Sequence, residues 1–370
     1  MSNTHSHILA TEALQLLQQL IAIPSPSRQE DKTADCIAQY LQQKNIPIHR
    51  LHHNVWAVTK NFDAGRPTIL LNSHHDTVAP NSKYTRNPYE PQCVDGKLYG
   101  LGSTDAGASL VSLIATFVFF YQQENLPFNM VLAASAEEEV SGSNGIESLF
   151  ARQEFSSLFL HPQSVAIVGE PTELQLAIAE KGLLVLDCTA HGKAGHAARN
   201  EGDNALYKAM DAVHWFKNYA FAKTSPTLGP VKMTVTSIAT ENKAHNVVPA
   251  TCSFVVDIRV TDAYTHEEIL EEIAGHVEVE VKPRSTRLRS SGIAISHPMV
   301  QAGMALGKTT YSSPTASDMA LIPMPAIKCG PGFSGQSHSA DEFIELKWIP
   351  EAVDFYINWI QTMAAAMQHS

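Results

Sequence analysis

The sequence predicts an α/β fold in two parts: a largely parallel mixed sheet flanked by helices, and an inserted α+β domain with an antiparallel sheet. Strand-like and helical runs alternate up to about residue 180, which is typical of layered α/β domains. The pattern then changes to longer strands around two helices. At 370 residues, with 44% apolar residues, the chain is longer than one hydrophobic core usually grows, which favours two domains.

The first domain begins with alternating helices and strands. Helical periodicity predicts helices in TEALQLLQQLIAI, which stops at PSPS, in EDKTADCIAQYLQQKN and in ASLVSLIATFVFFYQQ. Short apolar runs predict the strands NVWAVTK, TILLNS, NMVLAAS and SVAIVGE. Strands that are separated by helices pair in parallel, so this half predicts the parallel sheet.

The inserted domain follows from about residue 181. It contains the predicted strands GLLVLDCTAHG, VKMTVTSIAT and TCSFVVDIRV and the predicted helices NALYKAMDAVHWFKNYA and THEEILEEIAGHV. We interpret VKPRSTRLRSSG as the linker that returns the chain to the first domain, which MVQAGMAL and WIPEAVDFYINWIQTMAAAM complete. The predicted boundaries are 1–180 and 291–370 for the first domain and 181–290 for the insert.

Composition and charge narrow the class of partner. The net charge of −11 argues against nucleic acid and against an anionic membrane surface, because both need a basic face. The five cysteines are scattered and form no CxxC pair, as in a protein of a reducing compartment. The N-terminus lacks a signal-peptide pattern, and the longest apolar run, LVSLIATFVFFY, is too short to span a bilayer. We therefore expect a soluble, cytoplasmic protein that acts on a small polar molecule.

Acids and histidines follow the predicted strands. They are His74 and Asp76 in SHHD, Asp105 in GLGSTDAG, Glu137 to Glu139 in SAEEEVSG, Glu170 in VGEPT and, near the C-terminus, His338 in GPGFSGQSHSADE. Taken singly, each is more simply interpreted as a solvated polar residue. Strand ends share one edge of an open α/β sheet, however, so these side chains can converge. Two histidines with several carboxylates and no nearby cysteine are a typical donor set for zinc or a similar cation. Two neighbouring metals would share one carboxylate, while another carboxylate stays free to take a proton from water.

Six segments, in order over nearly the whole chain, resemble the acetylornithine deacetylase and succinyl-diaminopimelate desuccinylase family of di-zinc amidohydrolases. They are SHHDTV, YGLGSTDAG, SAEEEVSG, VGEPT, HGKAGHAA and GPGFSGQSHSADE. The resemblance implies a zinc-peptidase-like catalytic domain, interrupted by a lid domain through which the chain forms a homodimer. It also implies two Zn²⁺ ions per chain, with Co²⁺ as a possible substitute. The implied ligands are His74 and Glu170 for one ion, Glu139 and His338 for the other, and Asp105 as the bridge.

The same resemblance implies roles for the residues beside the metals. Glu138 is expected to be the general base, and Asp76 is expected to orient the imidazole of His74. A ligating histidine usually gives its other N–H to a carboxylate that fixes its tautomer, so this pairing is physically sensible. His75 should point away from the metals, because side chains alternate along an extended segment.

Three residues of the predicted lid also match family positions. His196 in KAGHAA matches the histidine that reaches the partner subunit's site and stabilises the tetrahedral oxyanion. Arg259 in VVDIR and Asn246 in HNVVPA match positions associated with the substrate carboxylate. An arginine suits that role because its fork donates two parallel hydrogen bonds.

The chain departs from the family pattern in two places. Glu137 stands where the family usually has Asp, so Glu137 with Glu138 could play the parts assigned to Glu138 with Glu139. The spacing of the glycines that follow favours the later pair. Ala106 stands where the family often has Lys, which should leave the metals unaffected because Lys is no ligand in such sites.

Two other classes of function are less well supported. GLGSTDAG does not fit the GxGxxG or P-loop spacing of a nucleotide site. A metal-free binding member of the same fold would have lost ligands that are all present here. GEPTELQ, EKG and GPGFSGQSH look closer to acetylornithine deacetylases than to peptidases. We therefore expect removal of an acetyl or succinyl group from an N-acyl amino acid such as N2-acetylornithine, in arginine biosynthesis. The amino acid could be ornithine, citrulline or lysine, and the alternative is a dipeptidase or aminoacylase of the same family.

Overall fold

The computed structural model describes residues 2–199 and 201–367 and separates into two compact units. The first comprises Met1–Ile178, Gly292–Tyr311 and Ser317–Ser370, and the second comprises Ala179–Ser291 and Ser312–Ala316. The first unit contains a large mixed sheet with helices, and the second contains a separate antiparallel sheet. The predicted α/β class is confirmed.

The helices of the described residues begin with a long N-terminal helix and end with a long C-terminal one. They are α1 Ser2–Ile21, α2 Asp31–Gln43, α3 Ala108–Tyr121, α4 Ile146–Phe150, α5 Gln153–Ser156, α6 Ala205–Asn218, α7 His266–Ala274, α8 Pro298–Ala305 and α9 Trp348–Met367. Local sequence explains several of the starts. Thr265 and Glu268 form a capping box at α7, and the Asn204 side chain accepts from the Leu206 N–H at α6.

The strands are mostly short. They are β1 His49–Leu51, β2 Asn54–Val58, β3 Thr68–His74, β4 Gln92–Val94, β5 Lys97–Tyr99, β6 Asn129–Ser135, β7 Val165–Val168, β8 Leu176–Glu180, β9 Gly182–His191, β10 Gly195–His196, β11 Lys232–Thr240, β12 Val247–Val248, β13 Thr251–Val260, β14 Glu280–Pro283, β15 Ser291–Gly292, β16 Thr310–Ser313, β17 Ala326–Lys328 and β18 Phe343–Glu345.

The large sheet places the ends of several strands together. Its order is β1-β2-β6-β3-β7-β17-β8-β15, with β16 beside β8. The central strands β6, β3, β7 and β17 are parallel, whereas β1, β2 and β8 pair antiparallel with their neighbours. β3 and β6 are buried along their whole length and end together, with His74 opposite Ser135. The parallel centre therefore forms a carboxyl edge where ligands can gather.

Helix α3 lies at the centre of the first unit. It is buried from Ala108 to Phe120 and packs between α1, α9 and strand β3. With the turn before it, the stretch Ser103–Tyr121 is long and apolar enough to cross a membrane, but 94% of that window is buried inside the protein. The apolar run LVSLIATFVFFY is thus a core helix of the first unit, and the turn Ser103–Gly107 leads directly into it.

The second unit has a sheet of order β11-β13-β9-β14, and all of its strand pairs are antiparallel. Burial alternates along β9 and β13, so one face packs on an apolar cluster with residues of α6 and α7. The segment VKPRSTRLRSSG differs from its interpretation as a linker, because it contains most of β14 and all of β15. Edge pairing with β9 makes β14 a strand in spite of Pro283, which stands at its end.

Candidate metal centre

Five predicted ligands come from five loops of the first unit. His74 ends β3, Glu170 follows β7, and Glu139 lies in a helical turn after β6. Asp105 lies in the turn Ser103–Gly107 that leads into α3, and His338 precedes β18. The parallel strands β3, β6 and β7 deliver their loops to the same edge, so the fold brings residues that are distant in sequence to one place.

In the first ligand group His74 is buried, and Asp105 and Glu170 are partly buried. His74 Nε2 lies 3.2 Å from Asp105 Oδ1 and 3.6 Å from Glu170 Oε1. His74 Nδ1 lies 3.0 Å from the carbonyl oxygen of Asp76, to which it donates when Nδ1 carries the proton. In that tautomer the Nε2 lone pair faces the two carboxylates, as a metal-ligating imidazole requires.

The second ligand group uses the other oxygen of Asp105. His338 Nε2 lies 2.9 Å from Glu139 Oε2 and 3.6 Å from Asp105 Oδ2, and the Ser337 hydroxyl donates to the same Oδ2. Within each group all candidate ligand atoms lie within 4.8 Å of one another. Asp105 belongs to both groups, which is the geometry of a bridging carboxylate.

The imidazoles of the centre hold protons more tightly than free histidine does. Burial lowers the pKa of His74, but hydrogen bonds to Asp105 and Asp76 raise it well above its ordinary value. A hydrogen bond to Glu139 raises the pKa of His338 to about 9. In each case a positive charge on the ring is favoured by the carboxylates around it.

The carboxyl groups of Glu138 and Glu170 also have raised pKa values. Burial raises the pKa of the Glu138 carboxyl well above its ordinary value, His74 lowers it, and Glu170 and Asp318 raise it further. Burial likewise raises the pKa of Glu170 to about 8, against the effect of His74 and with that of Asp105. The cluster therefore has too little positive charge for its acids, and divalent cations would supply it. Imidazole and carboxylate donors, both present here, suit zinc and similar cations.

Asp76 anchors the turn that carries the paired glutamates. Its Oδ1 accepts from the Glu138 N–H at 3.1 Å, and its Oδ2 accepts from the Glu139 N–H at 3.2 Å and from the Ser27 hydroxyl at 2.7 Å. Its carboxylate is 3.5 Å from His74 Nδ1, farther than its own carbonyl oxygen. Asp76 thus contacts His74 through both its carbonyl oxygen and its carboxylate, and the same carboxylate holds Glu138 and Glu139 in place.

Glu137 takes no part in either ligand group. Its side chain accepts from the Asn144 Nδ2 at 2.9 Å, and a Cβ at Gly142 would lie 1.8 Å from its Oε2, so only glycine fits there. The turn places Glu139 with His338 instead. This arrangement favours the later pair of glutamates over the earlier one.

His75 turns away from both ligand groups. Its Nδ1 lies 2.9 Å from the Thr33 hydroxyl, and its Nε2 lies 3.1 Å from the carbonyl oxygen of His53. Burial lowers its pKa to about 4, so the ring is neutral in the folded chain. The alternation expected along SHHD is present.

Three buried acids around the centre were missed by sequence reasoning. Glu342 accepts from backbone N–H groups of the Asp105 turn, and Glu30 accepts from the Glu137 N–H at 3.1 Å. Asp318 accepts from the Ser135 hydroxyl at 2.5 Å. Glu342 lies within the quoted GPGFSGQSHSADE motif, which is a signal for it, whereas Glu30 and Asp318 are isolated acids with no local pattern.

The second unit contains the three predicted lid residues. β10 pairs with β12, and the Ala197 N–H donates to the Asn246 carbonyl oxygen at 2.9 Å, so His196 and Asn246 are neighbours. Arg259 lies elsewhere, in β13. Its Nε and Nη2 donate to Asp257 at 2.8 and 2.9 Å, so a carboxylate of the same strand already occupies the fork expected to bind substrate.

Curated relatives match most of the chain. Succinyl-diaminopimelate desuccinylase of Corynebacterium glutamicum is 27% identical over 354 residues, which cover 90% of this chain and 92% of that protein. Succinyl-diaminopimelate desuccinylase 2 of Ruegeria sp. (strain TM1040) is 25% identical over 282 residues, covering 72% of this chain and 70% of that protein. The predicted resemblance to the family of these enzymes is confirmed.

Solved structures share the fold. The M20 family metallo-carboxypeptidase Sso-CP2 of Sulfolobus solfataricus superposes with a TM-score of 0.76 at 16% identity, over 96% of this chain and 99% of that one. The YXEP protein of Bacillus subtilis, a dinuclear metal binding peptidase, has a TM-score of 0.70 at 17% identity, over 98% and 99%. The family model described as peptidase family M20/M25/M40 matches residues 70–362. With two ligand groups sharing Asp105, the chain is a metal-dependent amidohydrolase and belongs to peptidase family M20/M25/M40.

Proposed function

We propose that the chain hydrolyses the amide of an N-acyl amino acid, releasing an acetyl or succinyl group, at a centre of two zinc ions. The supporting observation is the pair of ligand groups that meet at Asp105, with the half-buried Glu138 beside them. His74 and Glu170 would hold one ion, and Glu139 and His338 the other. Co²⁺ has similar ligand preferences and is the expected substitute.

The chain's own residues supply the proton transfers. Zinc held by these residues would polarise the amide carbonyl and would lower the pKa of water toward about 7. Glu138 takes the proton of the attacking water and returns it to the leaving amine. Burial raises the pKa of Glu138 well above its ordinary value, which offsets the acidifying field of the cations. Asp76 holds the turn of Glu138 through the backbone N–H, so the base is fixed before substrate arrives.

The acyl group and the amino acid define two candidate substrates. The motifs GEPTELQ and GPGFSGQSH favour N2-acetylornithine, which would place the enzyme in arginine biosynthesis. The names of the curated relatives favour N-succinyl-diaminopimelate, which would place it in lysine biosynthesis. A dipeptidase or aminoacylase activity is the alternative. The structure of human carnosine dipeptidase 1 has the same fold as this chain, with a TM-score of 0.69.

A substrate panel tests this proposal. Protein purified without chelator is loaded with Zn²⁺, and kcat/KM is measured for acetyl and succinyl derivatives of ornithine, citrulline, lysine and diaminopimelate, with dipeptides as the comparison. We expect N-acyl amino acids to exceed dipeptides, and chelation to abolish turnover. A higher kcat/KM for dipeptides would replace the proposal with the alternative. Absence of both metal and turnover would make the chain a metal-free binding protein.

The second unit is proposed to be a lid through which two chains pair. Strand β11 is an edge of its sheet, hydrogen-bonded within the described residues to β13 alone. It carries the exposed Ile238, and the exposed face of α6 carries Tyr207 and Met210. Edge strands and exposed apolar side chains are the features that a sheet-to-sheet interface covers.

In such a dimer, His196 of one subunit would act at the metal centre of the other. Asn246 would bind the substrate carboxylate, and Arg259 would do so by exchanging Asp257 for the substrate. Mixing the inactive variants Glu138→Ala and His196→Ala tests the sharing. Recovered activity in the mixture would support it, because some hybrid sites then contain both residues. A mixture as inactive as its parents, or a fully active monomer, would contradict it.

A further inference from the structure

Glu342 joins the segment before β18 to the turn that carries Asp105. It directly precedes β18 and is only 1% exposed. Its Oε1 accepts from the N–H groups of Thr104 at 2.7 Å and Asp105 at 3.0 Å, and its Oε2 accepts from Gly102 at 2.9 Å. Its carbonyl oxygen accepts from the Gly100 N–H at 3.0 Å. One residue therefore receives four backbone donors from the segment 100–105.

These donors need an acceptor from outside their own segment. The helical turn begins at Ser103, and the first N–H groups of a helical segment have no carbonyl partner within it. Asp105 has φ −109° and ψ 97°, which departs from helical values, so the turn is irregular at this residue. A buried carboxylate with two acceptor oxygens matches these donors, whereas an amide side chain has one acceptor oxygen.

The segment that contains Glu342 also carries His338, a ligand of the second group. Glu342 follows His338 by four residues, and the carbonyl oxygen of its neighbour Phe343 accepts from the Thr104 hydroxyl at 2.6 Å. β18 pairs with β5, which ends just before Gly100. The backbone near His338 and that of Asp105 are thus joined directly through Glu342.

We propose that Glu342 is a positioning residue, which holds Asp105 between the two ligand groups and thereby sets the affinity of both metal sites together. The inference rests on the proposed metal centre and adds a residue that is no ligand. Glu342 acts through the backbone of Asp105, so its loss moves the bridge without removing a donor atom from either group.

The test compares Glu342→Gln with a matched control in the same segment. Asp341→Asn removes the charge of the adjacent acid, whose carboxylate accepts from the Thr85 N–H, the Thr85 hydroxyl and the Arg86 N–H rather than from the Asp105 turn. Each full-length variant is stripped of metal, checked for folding by circular dichroism and thermal unfolding, and titrated with Zn²⁺ by calorimetry.

We expect Glu342→Gln to weaken both zinc equivalents by about 10- to 100-fold, as for other residues that orient ligands. Asp341→Asn should keep the wild-type affinities. Wild-type affinities in Glu342→Gln, loss of one equivalent alone, or equal losses in Asp341→Asn would each overturn the inference. If Glu342→Gln does not fold, the same titration of Glu342→Asp, which is charged but too short to reach all donors, decides with the same expected direction. A wild-type chain that binds no zinc would instead refute the proposed function.

Discussion

At the scale of the residue, three consecutive glutamates have three different surroundings. Glu137 is buried and hydrogen-bonded to Asn144, Glu138 is half-buried beside the acids of the centre, and Glu139 contacts His338. The backbone N–H groups of Glu138 and Glu139 are held by Asp76. Composition alone would describe these three glutamates as a solvated, charged run. The turn that carries them instead gives each one a different environment.

Replacing Glu138 with Gln removes a base and keeps its shape. General acid–base groups contribute about 10²- to 10⁴-fold in rate, so kcat should fall by at least that factor while zinc content stays at the wild-type level. Steady-state kinetics and metal analysis check both statements. Glu137→Gln is the matched control and should keep kcat of the wild-type order. Loss of zinc from Glu138→Gln would make Glu138 a ligand and pass the role of base to Glu137.

Replacing Asp105 with Ala should affect both metals together. Its Oδ1 lies with His74 in the first group and its Oδ2 lies with His338 in the second, so one deletion removes a donor from each. We expect zinc analysis to show loss of both equivalents. Glu170→Ala and His338→Ala should each weaken one equivalent more than the other, and full metal content in Asp105→Ala would refute the bridge.

The ligand candidates could be predicted from the sequence because each lies in a short segment that resembles a family motif. Sequence reasoning missed Glu30 and Glu342 because their roles depend on backbone donors about 100 or more positions away, such as the Glu137 N–H and the Asp105 N–H. It gave Arg259 a substrate role without the Asp257 partner, since neighbours at i and i+2 on a strand share a face only once the strand is known.

At the scale of the element, long periodic segments were predicted best. α3 runs from Ala108 to Tyr121, within the predicted helix ASLVSLIATFVFFYQQ, and β6 and β13 match their predicted runs. Most strands of two to four residues were missed, because so few positions show no periodicity and their partners are distant; β7 is the exception, since it lies within the predicted run SVAIVGE. β14 is the instructive case: its charged and Pro-containing sequence is typical of a linker, and pairing with β9 alone makes it a strand.

The edge of β11 gives a prediction about assembly. Lysine on an edge strand opposes pairing with another chain, because its charge would have to be buried. Ile238→Lys should therefore convert the proposed dimer to a monomer in analytical ultracentrifugation. Ile295→Lys replaces an equally exposed isoleucine of the first unit and should leave the assembly unchanged. A dimer that survives Ile238→Lys would require another interface.

At the scale of the whole molecule, the centre links stability to pH. In the metal-free chain the pKa of His338 is raised to about 9 and that of Glu170 to about 8, from ordinary values of 6.5 and 4.5. The folded chain then binds more protons than the unfolded chain, so its stability falls as pH rises through this interval.

We therefore expect the Tm of chelated protein to fall between about pH 6 and pH 9, while zinc-loaded protein loses less because cations replace these protons. Differential scanning calorimetry at several pH values, with and without chelator, measures the difference. A gap between the two forms that narrows as pH rises would contradict the expectation.

The separation of the ligands along the chain has a consequence for biosynthesis. Glu139 and His338, which meet in the second ligand group, are 199 positions apart, and the whole inserted unit is translated between them. Domains generally fold as units, and contacts across long intervening chain form slowly because loop closure costs entropy. A nascent chain can present His74, Asp105 and Glu170 before the second unit is made, but it has no complete second group until His338 has also been translated. The first ligand group can therefore form before the second, and a cation bound there early would gain its neighbour only after the segment that carries His338 has been made.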